Sequence, residues 1–174
     1  MTPIHRESRQ EKKAQVASDV RLRRIRQTDL PAFFEHQRDP EARWMAAFGN
    51  DPTDRKSFLD RWIRMLRDPK LDGWTVLLDH RVIGNIALFE LLGKPSVGYW
   101  YSRDVWGKGV ATRALTEFLR LVPTRPLFAR VAKDNVASVR VLEKCGFKEV
   151  GHETGFAPAR NAEIEELIFR RDAP

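Results

Sequence analysis

The part of this sequence that most narrows the fold lies in its second half. VGYWY (residues 97–101) reads as a strand, and Trp106-Gly107-Lys108-Gly109 as a turn with two glycines. After the turn, Ala111, Ala114, Leu115, Phe118, Leu119 and Val122 recur at i, i+3, i+4, i+7, i+8 and i+11, the stripe of an amphipathic helix. Pro123 ends that helix, and LFARVA (residues 127–132) is the next strand. Two strands of one sheet joined by a crossover helix run parallel, so the sheet contains a parallel pair.

The remaining elements are mostly antiparallel in character. VRLRRIR (residues 20–26) alternates apolar and basic residues, as a half-buried strand does. Asp29 and Pro31 signal a helix start, and AFFEHQ carries the helix to Asp39-Pro40. A second short helix is expected over 41–47, a turn over 48–52, and a longer helix over 53–67. In the longer helix Phe58, Leu59, Trp62, Ile63 and Leu66 share a face. WTVLL (74–78) and VIGNIALFE (82–90) form a hairpin through Asp79-His80-Arg81, and Gly93-Lys94-Pro95 breaks the chain before VGYWY. DNVASVRVLEKCGF begins at an Asp134-Asn135 cap and closes at Gly146. Final strands are expected over 147–154 and 164–171. The fold class is therefore mixed α/β: one central sheet, mostly antiparallel, with flanking helices. Residues 1–18 are polar and aperiodic and read as a mobile N-terminal arm, leaving 19–174 as a single domain.

Composition excludes several classes. The 174 residues hold one cysteine, Cys145, so there is neither a disulfide framework nor a thiolate zinc site. His5, His36, His80 and His152 show no metal-ligand spacing. No signal-like or membrane-length apolar run occurs, and a cytoplasmic protein is expected. The net charge of +7 suits an enzyme for an anionic ligand, a nucleic-acid binder, or a solvated basic surface. Basic residues gather at Arg21, Arg23, Arg24 and Arg26, and at Arg6, Arg9, Lys12 and Lys13, without an interleaved stacking platform.

What the two glycines serve can be narrowed by comparing phosphate-binding devices. A P-loop fails, because Ser102 stands where its first glycine belongs and Gly109 where its Ser or Thr belongs. A dinucleotide fingerprint fits Gly107 and Gly109 but meets Thr112 at the third glycine. A more general device remains. The first N–H groups of a helix have no internal partner and sit at the positive end of its dipole. Glycines in front of them admit an anion, and Lys108 adds a charge. An ordinary glycine turn with a solvated lysine fits the spacing as well.

Trp106-Gly107-Lys108-Gly109-Val110-Ala111 resembles the acyl-coenzyme A loop of the GNAT superfamily of N-acetyltransferases, with tryptophan where Gln or Arg is usual. That departure is common in the branch resembling ribosomal-protein N-terminal acetyltransferases. Two further segments resemble the same branch: Gly98-Tyr99-Trp100, and the Asn135, Ser138, Leu142-Glu143-Lys144 and Gly146-Phe147 pattern. The resemblance spans residues 20–171 and implies that VGYWY splays away from LFARVA. It implies that the backbone of Gly107, Lys108, Gly109, Val110, Ala111 and Thr112 holds the coenzyme pyrophosphate. Tyr99, Trp100 and Tyr101 would pair with the pantetheine arm, whose two amides suit an open strand edge. Asn135 would contact the same arm or simply cap its helix. Acetyl-coenzyme A is thus the implied cosubstrate, with no metal.

The implied reaction is direct attack of an amine on a thioester. The amine must lose a proton to a carboxylate or histidine, directly or through water. Glu90 is the first candidate base, with His152 and Glu153 as others. The oxyanion would take a strand N–H. The tyrosine that many relatives use as an acid is replaced by Leu142, so Ser138 becomes the implied proton donor. Cys145 reads as core. Trp44, Met45 and Phe48 are expected to wall the acceptor, a small amine or a protein N-terminus. A monomer or homodimer is expected, with no membrane and no nucleic-acid partner. A non-catalytic acyl-coenzyme A sensor and a basic nucleic-acid-binding protein remain rival readings.

Overall fold

Antiparallel hairpins and helical crossovers build a seven-stranded sheet. The computed structural model describes residues 19–49 and 54–173. The elements are β1 Val20–Arg24, α1 Leu30–Arg38, α2 Pro40–Ala46, α3 Arg55–Met65, β2 Asp72–Leu78, β3 Arg81–Leu91, β4 Lys94–Tyr101, α4 Val110–Leu121, β5 Leu127–Ala132, α5 Val136–Lys144, β6 Lys148–Ala157 and β7 Ala162–Arg171. Strand order is β1-β2-β3-β4-β5-β7-β6. Only β4 and β5 run parallel among the paired strands described, as the crossover requires.

Three local expectations shift. The break before β4 is only a tight turn at Leu92-Gly93, because Lys94 and Pro95 already pair with Leu91 and Glu90. α3 starts at Arg55, where the Asp54 carboxylate accepts from Ser57 N at 2.8 Å. β6 continues to Ala157, longer than its apolar pattern suggests. The expected arm at 1–18 and most of the turn at 48–52 lie outside the described residues.

Strand alternation sends the apolar side chains of the sheet into two cores. On one face Val76, Ile86, Val97, Leu127 and Phe169 pack with Ala114, Leu115 and Phe118 of α4 and Leu142 of α5. On the other, Leu30, Phe33 and Phe34 of α1 meet Phe58 and Trp62 of α3, with Phe33 and Trp62 rings 5.3 Å apart. Asp29 ties the second layer to the sheet. Its buried carboxylate accepts two bonds from Arg23 at 2.6 and 2.7 Å, one from Thr75 Oγ1 at 2.6 Å and one from Arg26 N at 2.9 Å. Burial pushes its pKa up, but these four bonds outweigh burial and hold it below the usual carboxylate value.

Candidate active site

β4 is paired with β3 from Lys94 to Tyr101, yet it meets β5 only at Ser96 and Phe128. Beyond that point the two strands part. The gap is a cavity of about 500 Å³. It runs through the sheet, because both faces of the strands line it. Tyr99, Tyr101 and Val131 belong to the face that packs on α4 and α5. Gly98, Trp100, Arg130 and Ala132 alternate with them and face α2, which contributes Ala42, Met45 and Ala46. A slot open to both layers can receive two reactants from opposite sides.

At the α4 end the slot reaches Gly107, Gly109, Val110, Ala111 and Thr112. Asp39, Asp54 and Asn135 cap α2, α3 and α5 with side-chain oxygens. No side chain caps α4; it begins on Gly109 in the left-handed conformation, φ 72°, and has no acidic residue in its first turn. Gly107 also has positive φ, 70°. A Cβ at either glycine would meet nothing within 4 Å. These glycines are therefore set by backbone conformation, with open space beside the first amides of α4. Lys108 is exposed and is not among the lining residues.

The hydroxyls of Tyr99 and Ser138 are 2.6 Å apart, joining β4 to α5 at the slot wall. Burial raises the Tyr99 pKa to about 12, against the opposing bond to Ser138. Tyr101 is pushed well above 10 by burial, then by Tyr99 and Cys145. Its hydroxyl is buried without a hydrogen-bond partner. Both phenols are neutral near pH 7. The Tyr101 carbonyl accepts from Trp106 Nε1 at 3.3 Å. Of the expected strand pairing at Tyr99, Trp100 and Tyr101, that carbonyl is already engaged. Trp100 is fixed on the other layer, its Nε1 donating to His36 O at 3.2 Å.

Asn135 caps α5 through Oδ1, which accepts from Ser138 N at 3.1 Å, and its Nδ2 donates to Met45 O at 3.2 Å. It thus fixes the orientation of Ser138 and ties α5 to α2.

Glu90 is not brought to the slot. It lies opposite Pro95, near the closed end of the β4–β5 pair, and its exposed carboxylate pairs with Lys70 at 3.4 Å. His152 is exposed on β6. Glu153 reaches only the guanidinium of Arg130, a slot residue that also donates to Glu166 at 2.7 Å. The bond to Arg130 holds Glu153 below its ordinary pKa, which makes it a weaker base. Among the described residues, none that lines the slot is an acid or a histidine. Among the described residues no group of three or more His, Cys, Asp or Glu could hold a metal. Of the expected acceptor wall, Met45 lines the slot. Trp44 stacks under Arg160, 5.0 Å away, and Phe48 packs in a small cluster with Ala47, Ala132 and Ala157. Arg130 and the link between Tyr99 and Ser138 escaped sequence reasoning, because their partners are 23 to 39 residues away.

Residues 19–148 match the acetyltransferase (GNAT) domain family. No curated protein sequence matches the chain. Among solved structures, the fold is similar to spermidine N-acetyltransferase from Vibrio cholerae in complex with CoA and spermine, at 17% identity and TM-score 0.73, covering 87% of this chain and 95% of that one. It is similar to AAC(6')-Ib in complex with ribostamycin and coenzyme A, at 18% identity and TM-score 0.71, covering 88% and 93%. It is also similar to ribosomal-protein-alanine N-acetyltransferase from Brucella melitensis, at 18% identity and TM-score 0.73, covering 87% and 99%. At such identities the likeness speaks for the fold, whereas the domain match covers most of the chain. The chain belongs to the GNAT family and is an acetyl-coenzyme A-dependent N-acetyltransferase.

Proposed function

We propose that acetyl-coenzyme A enters the slot from the α4–α5 side and that a primary amine meets it from the α2 side. The observation that carries this reading is the slot itself, which passes through the sheet and ends at the uncapped start of α4. The pyrophosphate rests on the first amides of α4, Val110 to Thr112, where bare N–H groups and the helix dipole favour an anion. The pantetheine arm lies along the open edge of β4 at Tyr99 and beneath the unpartnered Tyr101 hydroxyl, which supplies a ready donor. The bound thioester supplies a carbonyl open to attack and a thiolate leaving group.

As the C–S bond breaks, Ser138 donates a proton to the departing sulfur and regains one from the nitrogen that has formed the amide bond. Tyr99 fixes its hydroxyl, and Asn135 fixes its backbone. A peptide N–H on the free edge of β4 holds the acyl oxygen. With no carboxylate or imidazole among the described residues of the slot lining, the amine loses its proton to solvent before attack. The acceptor enters beside Met45, Trp100 and Arg130.

Isothermal titration with acetyl-coenzyme A, followed by thiol release over a panel of amines, tests the reading. Binding with turnover of at least one amine is expected. Absence of binding at high micromolar ligand overturns it. Binding without turnover of any amine or N-terminal peptide would identify a sensor.

A further inference from the structure

The basic excess of the chain has a second focus, away from the slot mouth. A cavity of about 510 Å³ lies where the second half of α4, the end of α5 and the end of β7 meet. Arg120, Arg125, Lys144 and Arg171 line it, and among the described residues no acidic one does. Arg120 pairs with Glu117 and is largely exposed. The two other arginines are partly buried, and neither pairs with a carboxylate among the described residues.

Each of those two has a structural task that uses only part of its guanidinium. Arg125 closes the end of α4, donating through Nη1 to Val122 O at 3.0 Å and Thr124 O at 2.6 Å, and through Nη2 to Leu119 O at 3.1 Å. Arg171 closes the end of α5, with Nε donating to Cys145 O at 2.9 Å. What remains is Nε of Arg125 and Nη1 of Arg171, both buried and without a partner. Two unmade buried donors on residues that line one cavity are unusual, because desolvating them costs free energy that no acceptor returns. The like charges add to that cost, and burial and the Arg171 charge together lower the pKa of Arg125. An anion in the cavity offsets the like charges, and a small turn of either guanidinium brings its free donor to it.

We infer that Arg125 and Arg171 form a binding site for a phosphate-class oxyanion, separate from the slot. A tetrahedral dianion offers several acceptors at once, which suits two guanidinium groups on one cavity better than a point charge does. Arg120 and Lys144 supply outer charge. Lys144 lines both cavities, so the oxyanion has two conceivable sources: free phosphate, or the phosphomonoester of a coenzyme bound in the slot. The inference does not depend on acetyl transfer.

The test is thermal unfolding of the full chain in rising sodium phosphate, with ionic strength held constant by sodium chloride. The wild-type Tm rises by roughly 3–5 °C at ten times the Kd. Arg171→Met loses its bond to Cys145 and starts from a lower Tm. The phosphate increment within each variant is therefore compared, and in Arg171→Met it vanishes. Arg120→Gln changes an exposed side chain, keeps the fold and shrinks the increment. The series is repeated with saturating coenzyme A and with dephospho-coenzyme A. An increment that survives both identifies free phosphate; one lost with coenzyme A alone identifies the coenzyme's own phosphomonoester. No increment in the wild type, or an equal one in Arg171→Met, overturns the inference. Loss with dephospho-coenzyme A as well also overturns it, since phosphate would then have been bound in the slot.

Discussion

Tyr99 and Ser138 are held with their hydroxyl oxygens 2.6 Å apart, bridging the strand that opens the slot and the helix that flanks it. With the Tyr99 pKa near 12, the phenol keeps its proton at any working pH and orients Ser138 without exchanging charge. Ser138→Ala is expected to lower kcat by roughly 10- to 100-fold, at or below the low end for a proton donor, because a thiolate also leaves unassisted. Tyr99→Phe should lower kcat several-fold, with little change in the KM for acetyl-coenzyme A. Steady-state kinetics with both substrates varied reads the split. A rise in KM at constant kcat would assign the pair to binding instead.

Gly109 starts α4 at φ 72° with free space around it. Gly109→Ala should cost about 1–2 kcal/mol of stability, the penalty for a left-handed non-glycine residue. It should also weaken acetyl-coenzyme A by roughly tenfold or more, because the new methyl stands beside the anion-binding amides. Chemical denaturation and isothermal titration measure the two effects separately. Loss of stability with unchanged affinity would remove the pyrophosphate from this turn.

Much of this architecture was legible because it depends on local period and punctuation. The α4 stripe, its glycine start and Pro123 sit within one stretch of chain, and every expected strand and helix with described residues appears. The parallel pair followed from the crossover alone. The ends of elements were less legible: β4 begins at Lys94 because Pro95 sits in the β3 hairpin, where pairing to Glu90 overrides the break signal. The site was readable where backbone makes it, at Gly107, Gly109 and the β4 edge. It was not readable where distant side chains make it. Glu90 is at a strand end, but sequence does not say which end of the slot that is. Arg130 reads as one more surface cation until β6 and β7 bring Glu153 and Glu166 to it.

Asp29 should govern acid stability. Its folded pKa is depressed, so it contributes stability that is present above its unfolded value of about 3.9 and lost as pH falls through the folded value. Asp29→Asn leaves Arg23 without its partner and should cost roughly 3–5 kcal/mol near pH 7. The gap between wild type and variant should stay flat above about pH 5 and narrow below about pH 4. Urea unfolding at several pH values measures it. A gap independent of pH down to 3 would show that the carboxylate's charge is not what matters.

Among the described residues, no acid or histidine lines the slot, and this has a kinetic consequence. If the chain holds no base at the reacting amine, the enzyme must select the unprotonated fraction of that amine. The rising limb of kcat/KM against pH should then follow the acceptor's own pKa and move when a weaker amine replaces a stronger one. Glu90→Gln breaks only an exposed pair with Lys70, so it should change kcat/KM by less than about twofold and leave the limb in place. A limb fixed at one pH across amines of different basicity would reveal a protein base. Its loss in Glu90→Gln would identify that base as Glu90 and would require the β3–β4 hairpin to close over the slot during turnover.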